Sequence, residues 1–214
     1  MQIMTSIAEN NIRLTAVMSV HKMLKPVVFI FCLLPLMMIM WQAFTNGLGA
    51  NPAETILDAM GNWAVYFLLI TLTVTPLRRL TGWGGIVRLR RMFGLFVFFY
   101  ASLHLLSYIW FDQYFDWHEI VNDIIKRPFI SLGFMTFVLL IPLMLTSNKA
   151  MIIRLKANWK RLHQLVYPIA IMATVHFFLM TRADFQQPVI IALILSVLLM
   201  YRLVVYFQKK AARL

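Results

Sequence analysis

The stretch Trp159–Met180 reads WKRLHQLVYPIAIMATVHFFLM, and it is long and apolar enough to cross a bilayer. It carries two histidines, His163 and His176. A histidine inside a membrane span is costly unless it is paired, so each is a candidate functional residue. His176 follows His163 by thirteen helical steps, a rise of about 20 Å, which places the two imidazoles near opposite faces of the membrane. A third histidine, His104, lies within another apolar run.

The composition identifies the class of protein. Of the 214 residues, 61% are hydrophobic and only 13% are charged, which is far more apolar surface than a soluble domain of this size can bury. The formal net charge of +12 comes from short basic clusters between apolar runs, a pattern that orients membrane helices and does not indicate nucleic-acid binding. The one cysteine, Cys32, excludes an intrachain disulfide. We therefore predict an all-α, polytopic membrane protein in contact with lipid.

The apolar runs predict one six-helix transmembrane domain over residues 26–207. It lies between an N-terminal segment, 1–25, and a short tail, 208–214. The predicted spans are about 26–44, 62–77, 92–111, 128–145, 163–181 and 188–207. Segments on one side of these spans hold seventeen Lys and Arg residues and those on the other side hold three. This bias predicts that both termini are cytoplasmic.

With that orientation, the third and fifth spans both run outward, and His104 and His176 fall at similar depth in the outer half of the membrane. Two neutral imidazoles that face each other across a helix bundle form an axial pair for haem iron. The alternative is that each histidine merely hydrogen-bonds a neighbouring helix. His163 is predicted at the cytoplasmic start of its span. Thirteen helical steps rotate about 220°, so His163 and His176 share a face only if Pro168 kinks the helix.

Several segments in order resemble one family of membrane proteins: the haem-binding subunits of bacterial periplasmic methionine-sulfoxide reductase systems. The resemblance runs from Arg13 onward and rests on GLGANP, TPLRRL, RLRRMFGL, SLHLLSY, KRPFISLG, LTSNKAM and WKRLHQLVY. That family belongs to the ferric-reductase and NADPH-oxidase-like domains, in which six helices hold b haems between spans three and five. The resemblance implies one haem b, with a second left open, and FMN. It makes His104, His176 and His163 the candidate iron ligands.

The wider superfamily places a second histidine in span three, where this chain has Arg90, fourteen residues before His104. An arginine stays protonated and is a poor iron ligand. Arg90 is instead suited to a haem propionate, a flavin phosphate or a quinone. It is equally well explained as one more basic residue on the cytoplasmic side.

The sequence has no dinucleotide fingerprint, so we expect electrons to arrive from the quinone pool or from a separate cytoplasmic flavin reductase. The resemblance implies that they leave for a periplasmic, molybdenum-containing methionine-sulfoxide reductase, with the chain in the bacterial inner membrane. The catalytic reduction would then occur on that partner. The alternatives are a stand-alone ferric reductase, another quinone-linked cytochrome b, or a small transporter. No internal repeat of the kind common in transporters is evident in the sequence.

Overall fold

The computed structural model of the chain describes residues 24–181 and 183–212. That part is almost entirely helical and contains no strand. Residues 1–23 of the predicted N-terminal segment and the last two residues of the predicted tail therefore lie outside the described part of the chain. The α-helices are α1 Leu24–Phe44, α2 Pro52–Thr81, α3 Val87–Ser107, α4 Trp117–Lys126, α5 Pro128–Leu145, α6 Lys149–Leu155, α7 Ala157–Leu162, α8 Val166–Met180 and α9 Gln186–Ala211.

Six helical segments in the described residues are long and apolar enough to cross a membrane, which confirms the predicted class. Two of these segments are composite. A 3₁₀ turn and a π-helical turn extend α3 into the segment Gly84–Asp112, and a 3₁₀ turn joins α7 to α8 in the segment Ala157–Met180. The second segment begins ten residues earlier than the predicted 62–77. Proline at the first helical position and the side chain of Asn51, which accepts the N–H of Glu54, start α2 at that earlier point.

The bundle is built from two antiparallel helix pairs. Helix α2 packs along α3, and α5 packs along α8, while α3–α5 and α2–α8 contacts join the pairs. Helix α9 lies against α2 and α8. Helix α1 is attached to α3, where the buried Tyr100 hydroxyl donates to the carbonyl of Cys32 at 2.8 Å. The four paired helices therefore enclose the centre of the bundle.

A hydrogen bond from Arg202 on α9 to a backbone carbonyl that Pro76 leaves free joins α9 to α2. Pro76 lies inside α2 and has no N–H, so the buried carbonyl of Leu72 lacks its usual intrahelical donor. Arg202 on α9 replaces that donor, since its Nη2 lies 2.6 Å from the Leu72 oxygen. Its Nη1 donates to the carbonyl of Leu198 on its own helix at 3.2 Å.

A short polar network fixes the connection between α3 and α5. The carboxylate of Asp123 on α4 is buried. It accepts hydrogen bonds from the Tyr108 hydroxyl and the Gln113 amide, each at 2.9 Å. It also pairs with Arg127, whose Nε lies 2.9 Å from the second carboxylate oxygen. The network holds α4 across one end of the bundle, which we call the α4 end; the opposite end is the α7 end.

Candidate functional site

The structure brings the imidazole rings of His104 on α3 and His176 on α8 close together in an edge-to-face arrangement. Their ring centroids are 6.2 Å apart and their planes are inclined at 77°. Both histidines were predicted from sequence to lie at one depth. Metal–imidazole bonds are about 2.0 Å long, so two imidazoles on opposite sides of one metal ion have centroids about 6 Å apart. The observed separation fits such a pair.

Hydrogen bonds fix the protonation of both rings. Nδ1 of His104 lies 2.9 Å from the carbonyl oxygen of Leu57 on α2. Nδ1 of His176 lies 2.7 Å from the carbonyl oxygen of Phe129 on α5. A carbonyl only accepts, so each Nδ1 must carry the proton and donate it. Each neutral ring then keeps its Nε2 lone pair free to bind a metal.

Two glycines let the rings reach these carbonyls. Each accepting carbonyl is followed four residues later by a glycine, Gly61 on α2 and Gly133 on α5. A Cβ at Gly61 would lie 3.0 Å from Nδ1 of His104. A Cβ at Gly133 would lie 2.7 Å from Cε1 of His176, closer than real Cβ contacts. Any larger residue would therefore push the imidazole away from its carbonyl.

The same half-site thus occurs twice, 72 residues apart in the chain. In each copy the histidine follows its carbonyl partner by 47 residues. The copies also share a short sequence, ASLH at 101–104 and ATVH at 173–176. In each, the hydroxyl of Ser102 or Thr174 donates to the carbonyl four residues earlier. The shared residues are few and scattered, so the likeness of the two half-sites becomes evident only in the structure.

The side chains at the histidine pair indicate which kind of metal centre the site can hold. Within residues 24–181 and 183–212, no group of three or more His, Cys, Asp or Glu side chains could hold a bare metal ion. The His104–His176 pair supplies two imidazole nitrogens from two different helices. Haem iron needs only such axial ligands, because the porphyrin provides the others. The residues present therefore fit haem.

His163 lies apart from this pair, at the α7 end. It begins the 3₁₀ turn between α7 and α8, and its ring stacks on Trp159 with centroids 4.2 Å apart. Nε2 of His163 lies 3.1 Å from the hydroxyl of Thr146. The backbone carbonyl of Thr146 accepts the indole N–H of Trp159 at 3.0 Å. The break in helical geometry comes from this 3₁₀ turn. Pro168 lies in the first turn of α8, where proline fits a regular helix.

Arg90 lies at the same end of the bundle and is half-buried. The Arg202 guanidinium carbon lies 5.4 Å from the centre of the Tyr167 ring. Sequence reasoning selected Arg90 and His163 but gave Arg202 and Tyr167 no role.

Comparison with known proteins places the chain in a family. The profile of the family described as "Ferric reductase like transmembrane component" matches residues 59–174, from within α2 into α8. A protein of Herminiimonas arsenicoxydans is 47% identical over 192 residues, which cover 88% of each chain. A protein of Rhodospirillum rubrum is 48% identical over 178 residues, which cover 83% of this chain and 86% of the relative. Both relatives are named "Protein-methionine-sulfoxide reductase heme-binding subunit MsrQ".

The chain belongs to the MsrQ family. A further MsrQ relative, from Xanthomonas euvesicatoria, is 46% identical over 173 residues, which cover 81% of this chain and 78% of the relative. No solved structure matches the chain significantly. The ferric-reductase profile includes Gly61, His104 and Gly133 and ends two residues before His176. The MsrQ resemblance inferred from the seven sequence segments is therefore confirmed.

Proposed function

We propose that the chain is a haem b electron-transfer subunit of the bacterial inner membrane that serves a periplasmic methionine-sulfoxide reductase. The observation that carries this proposal is the opposed pair His104–His176, with both Nδ1 atoms bound to carbonyls and both Nε2 atoms free. Haem bound between these rings supplies a one-electron carrier. The names of the MsrQ relatives support the same cofactor.

The residues around the pair hold the ligands in place. The carbonyls of Leu57 and Phe129 fix the orientation of the two imidazoles and raise their basicity as ligands. Gly61 and Gly133 allow the close approach. The surrounding side chains of α2, α3, α5 and α8 are mainly apolar, so they limit the access of water.

The distribution of charge supports a direction of transfer. The strong excess of Lys and Arg on one side of the spans supports a cytoplasmic position for both termini and for the α7 end. The His104–His176 pair then lies in the outer half of the membrane, and α4 lies on the periplasmic side. Electrons would enter near the basic segments 78–91 and 149–161 and leave near that pair.

The α7 end is the proposed entry side. His163 begins the 3₁₀ turn at this end and Arg90 is half-buried in the first turn of α3, so a second haem or a quinone would be bound near them. The family resemblance leads us to propose FMN as a further cofactor and molybdenum in the periplasmic reductase. It also leads us to propose that the electron donor is either the quinone pool or a cytoplasmic flavin reductase. The methionine-sulfoxide reductase partner is further supported by the names of the relatives.

The test uses purified full-length protein reduced with dithionite. We expect the sharp α and Soret bands of a low-spin, bis-histidine haem. Oxidised periplasmic reductase and methionine sulfoxide are then added, and we expect reoxidation that requires both. A folded but colourless preparation would overturn the redox proposal. If the reduced band persists with that partner and is lost rapidly with ferric chelates, the chain is a ferric reductase.

A further inference from the structure

Helix α4 has an exposed apolar side. Trp117, Val121 and Ile125 recur at every fourth residue, and they are 63%, 54% and 75% exposed. This spacing places the three side chains within about 80° on one side of a helix. On another side of the same helix, Ile120 and Asp123 are buried against the bundle. We call the exposed side formed by Trp117, Val121 and Ile125 the apolar flank of α4.

The side chains around α4 divide into three sectors. At about 100° per residue, the apolar flank occupies roughly 0–80° around the helix axis, counted from Trp117. The exposed, charged Lys126 and Glu119 follow at roughly 180° and 200°. The buried Asp123 and Ile120 follow at roughly 240° and 300°. A helix at the rim of a transmembrane bundle has three neighbours, which are lipid, water and protein, and the three sectors of α4 match them in that order.

The connections of α4 fix its level at the membrane boundary. The preceding membrane-spanning segment ends at Asp112, and the following one begins at Pro128. One residue, Arg127, separates α4 from that second segment, and its extended backbone, with φ −109° and ψ 102°, turns the chain between the two helices. Helix α4 therefore lies next to the end of a span, at the level where amphipathic helices bind in the plane of a membrane.

Aromatic rings connect the flank to the outer surface of the third span. Trp110 is exposed on that span, and its ring centroid lies 5.6 Å from that of Phe115, which lies 6.5 Å from that of Trp117. Tyr114 and Phe115 have φ angles of 47° and 63°, in the left-handed region that is costly for side chains of this size. Such strain persists where the surroundings compensate for it. Burial of these exposed rings among lipid headgroups would provide that compensation.

We propose that α4 is an interfacial membrane anchor, with its apolar flank inserted among the lipids at the boundary of the bilayer. Lipid is the partner that fits, because the flank is uncharged and continuous with the surface that the third span presents to the bilayer. Trp117 supplies the ring type that is enriched at headgroup level. With the orientation proposed above, these lipids belong to the outer leaflet. The insertion itself does not depend on the electron-transfer function.

The test measures what surrounds each side of α4 in full-length protein, reconstituted into phospholipid nanodiscs at one chain per disc. Cys32, the one cysteine of the sequence, is buried and is replaced by alanine. A nitroxide label is attached at Val121→Cys or Ile125→Cys, with Glu119→Cys as the matched control from the charged sector. Relaxation of the label by oxygen, which concentrates in lipid, is compared with relaxation by a water-soluble nickel chelate. We expect the ratio of oxygen to nickel relaxation to be several-fold higher at positions 121 and 125 than at position 119.

Two outcomes would overturn the proposal in variants that keep the wild-type thermal transition. If nickel relaxes the labels at positions 121 and 125 as strongly as the label at 119, the flank faces water. If neither oxygen nor nickel reaches those labels, protein covers the flank.

A second measurement needs no cysteine. In brominated phospholipid, Trp117→Phe should remove part of the tryptophan emission that the lipid quenches, because phenylalanine keeps the apolar contact and removes the fluorophore. An unchanged quenchable emission in Trp117→Phe would contradict insertion of the flank.

Discussion

Replacing Gly133 by alanine would test the geometry of the histidine pair most directly. The new methyl group would lie 2.7 Å from Cε1 and 2.9 Å from Nδ1 of His176. Ordinary carbon contacts begin near 3.5 Å, so the ring must retreat by about 0.8 Å or α5 must move. The ring has no free end to swing away, because Nδ1 is tied to the Phe129 carbonyl.

We expect that hydrogen bond to break or lengthen in Gly133→Ala, at a cost of about 1 kcal/mol for the bond itself. Loss of such an outer partner typically weakens metal binding by about tenfold to a hundredfold. The assay is haem content together with a redox titration of the α-band, which we expect to show less haem and a shifted midpoint potential. Gly61→Ala should show a smaller effect, since its methyl group would lie 3.0 Å from His104.

Gly94→Ala is the control within the same bundle. Its methyl group would lie 4.0 Å from Thr71, an ordinary contact, so haem content and potential should stay at wild-type values. The reasoning is refuted if Gly133→Ala retains the haem content and potential of Gly94→Ala.

Three further outcomes are expected. His104→Ala and His176→Ala should each abolish the low-spin spectrum while His163→Ala keeps it; loss of all haem in His163→Ala with retention in His176→Ala would contradict the assigned pair. Asp123→Asn should lower the midpoint of thermal unfolding by several degrees, because it removes a buried charge that pairs with Arg127 and accepts hydrogen bonds from Tyr108 and Gln113. Asp116→Asn should change that midpoint little, because asparagine keeps a side-chain oxygen that can cap α4. Pro76→Ala should restore the N–H donor for the Leu72 carbonyl. In a double-mutant cycle, Arg202→Gln should then lower the free energy of unfolding of Pro76→Ala by less than it lowers that of the wild type. Equal losses of stability in the two backgrounds would show that Arg202 does not substitute for the missing donor.

The level of the histidines could be predicted from sequence because depth depends only on residue count along a helix. His104 and His176 lie at matching positions in two spans predicted to run in the same direction, and the structure places their rings together. The partners of the rings could not be predicted in this way. Whether Leu57 and Phe129 present a carbonyl to a neighbouring helix depends on helix rotation and on the small size of Gly61 and Gly133.

The α7 end shows the same limit. The prediction singled out Arg90 from its spacing to His104, but Arg202 acts on α2 through a contact 130 residues away in sequence. That contact depends on a carbonyl left free by proline, which no hydropathy pattern reveals. The sequence likewise indicated Pro168 as the residue where the helix could kink, because proline is a strong sequence signal for a break, whereas the structure has a 3₁₀ turn at His163–Leu165.

The duplicated half-site bears on how this protein would deal with oxygen. In many haem proteins one axial side is firmly held and the other is open, and small gases bind on the open side. Here each imidazole is braced by its own backbone carbonyl, at 2.9 and 2.7 Å, and each is packed against its own glycine. Neither side is the weaker one, so a diatomic gas would have to displace a ligand that is supported from behind. A haem held in this way would bind diatomic gases poorly, and any reaction with oxygen would have to proceed by electron transfer without direct coordination to the iron.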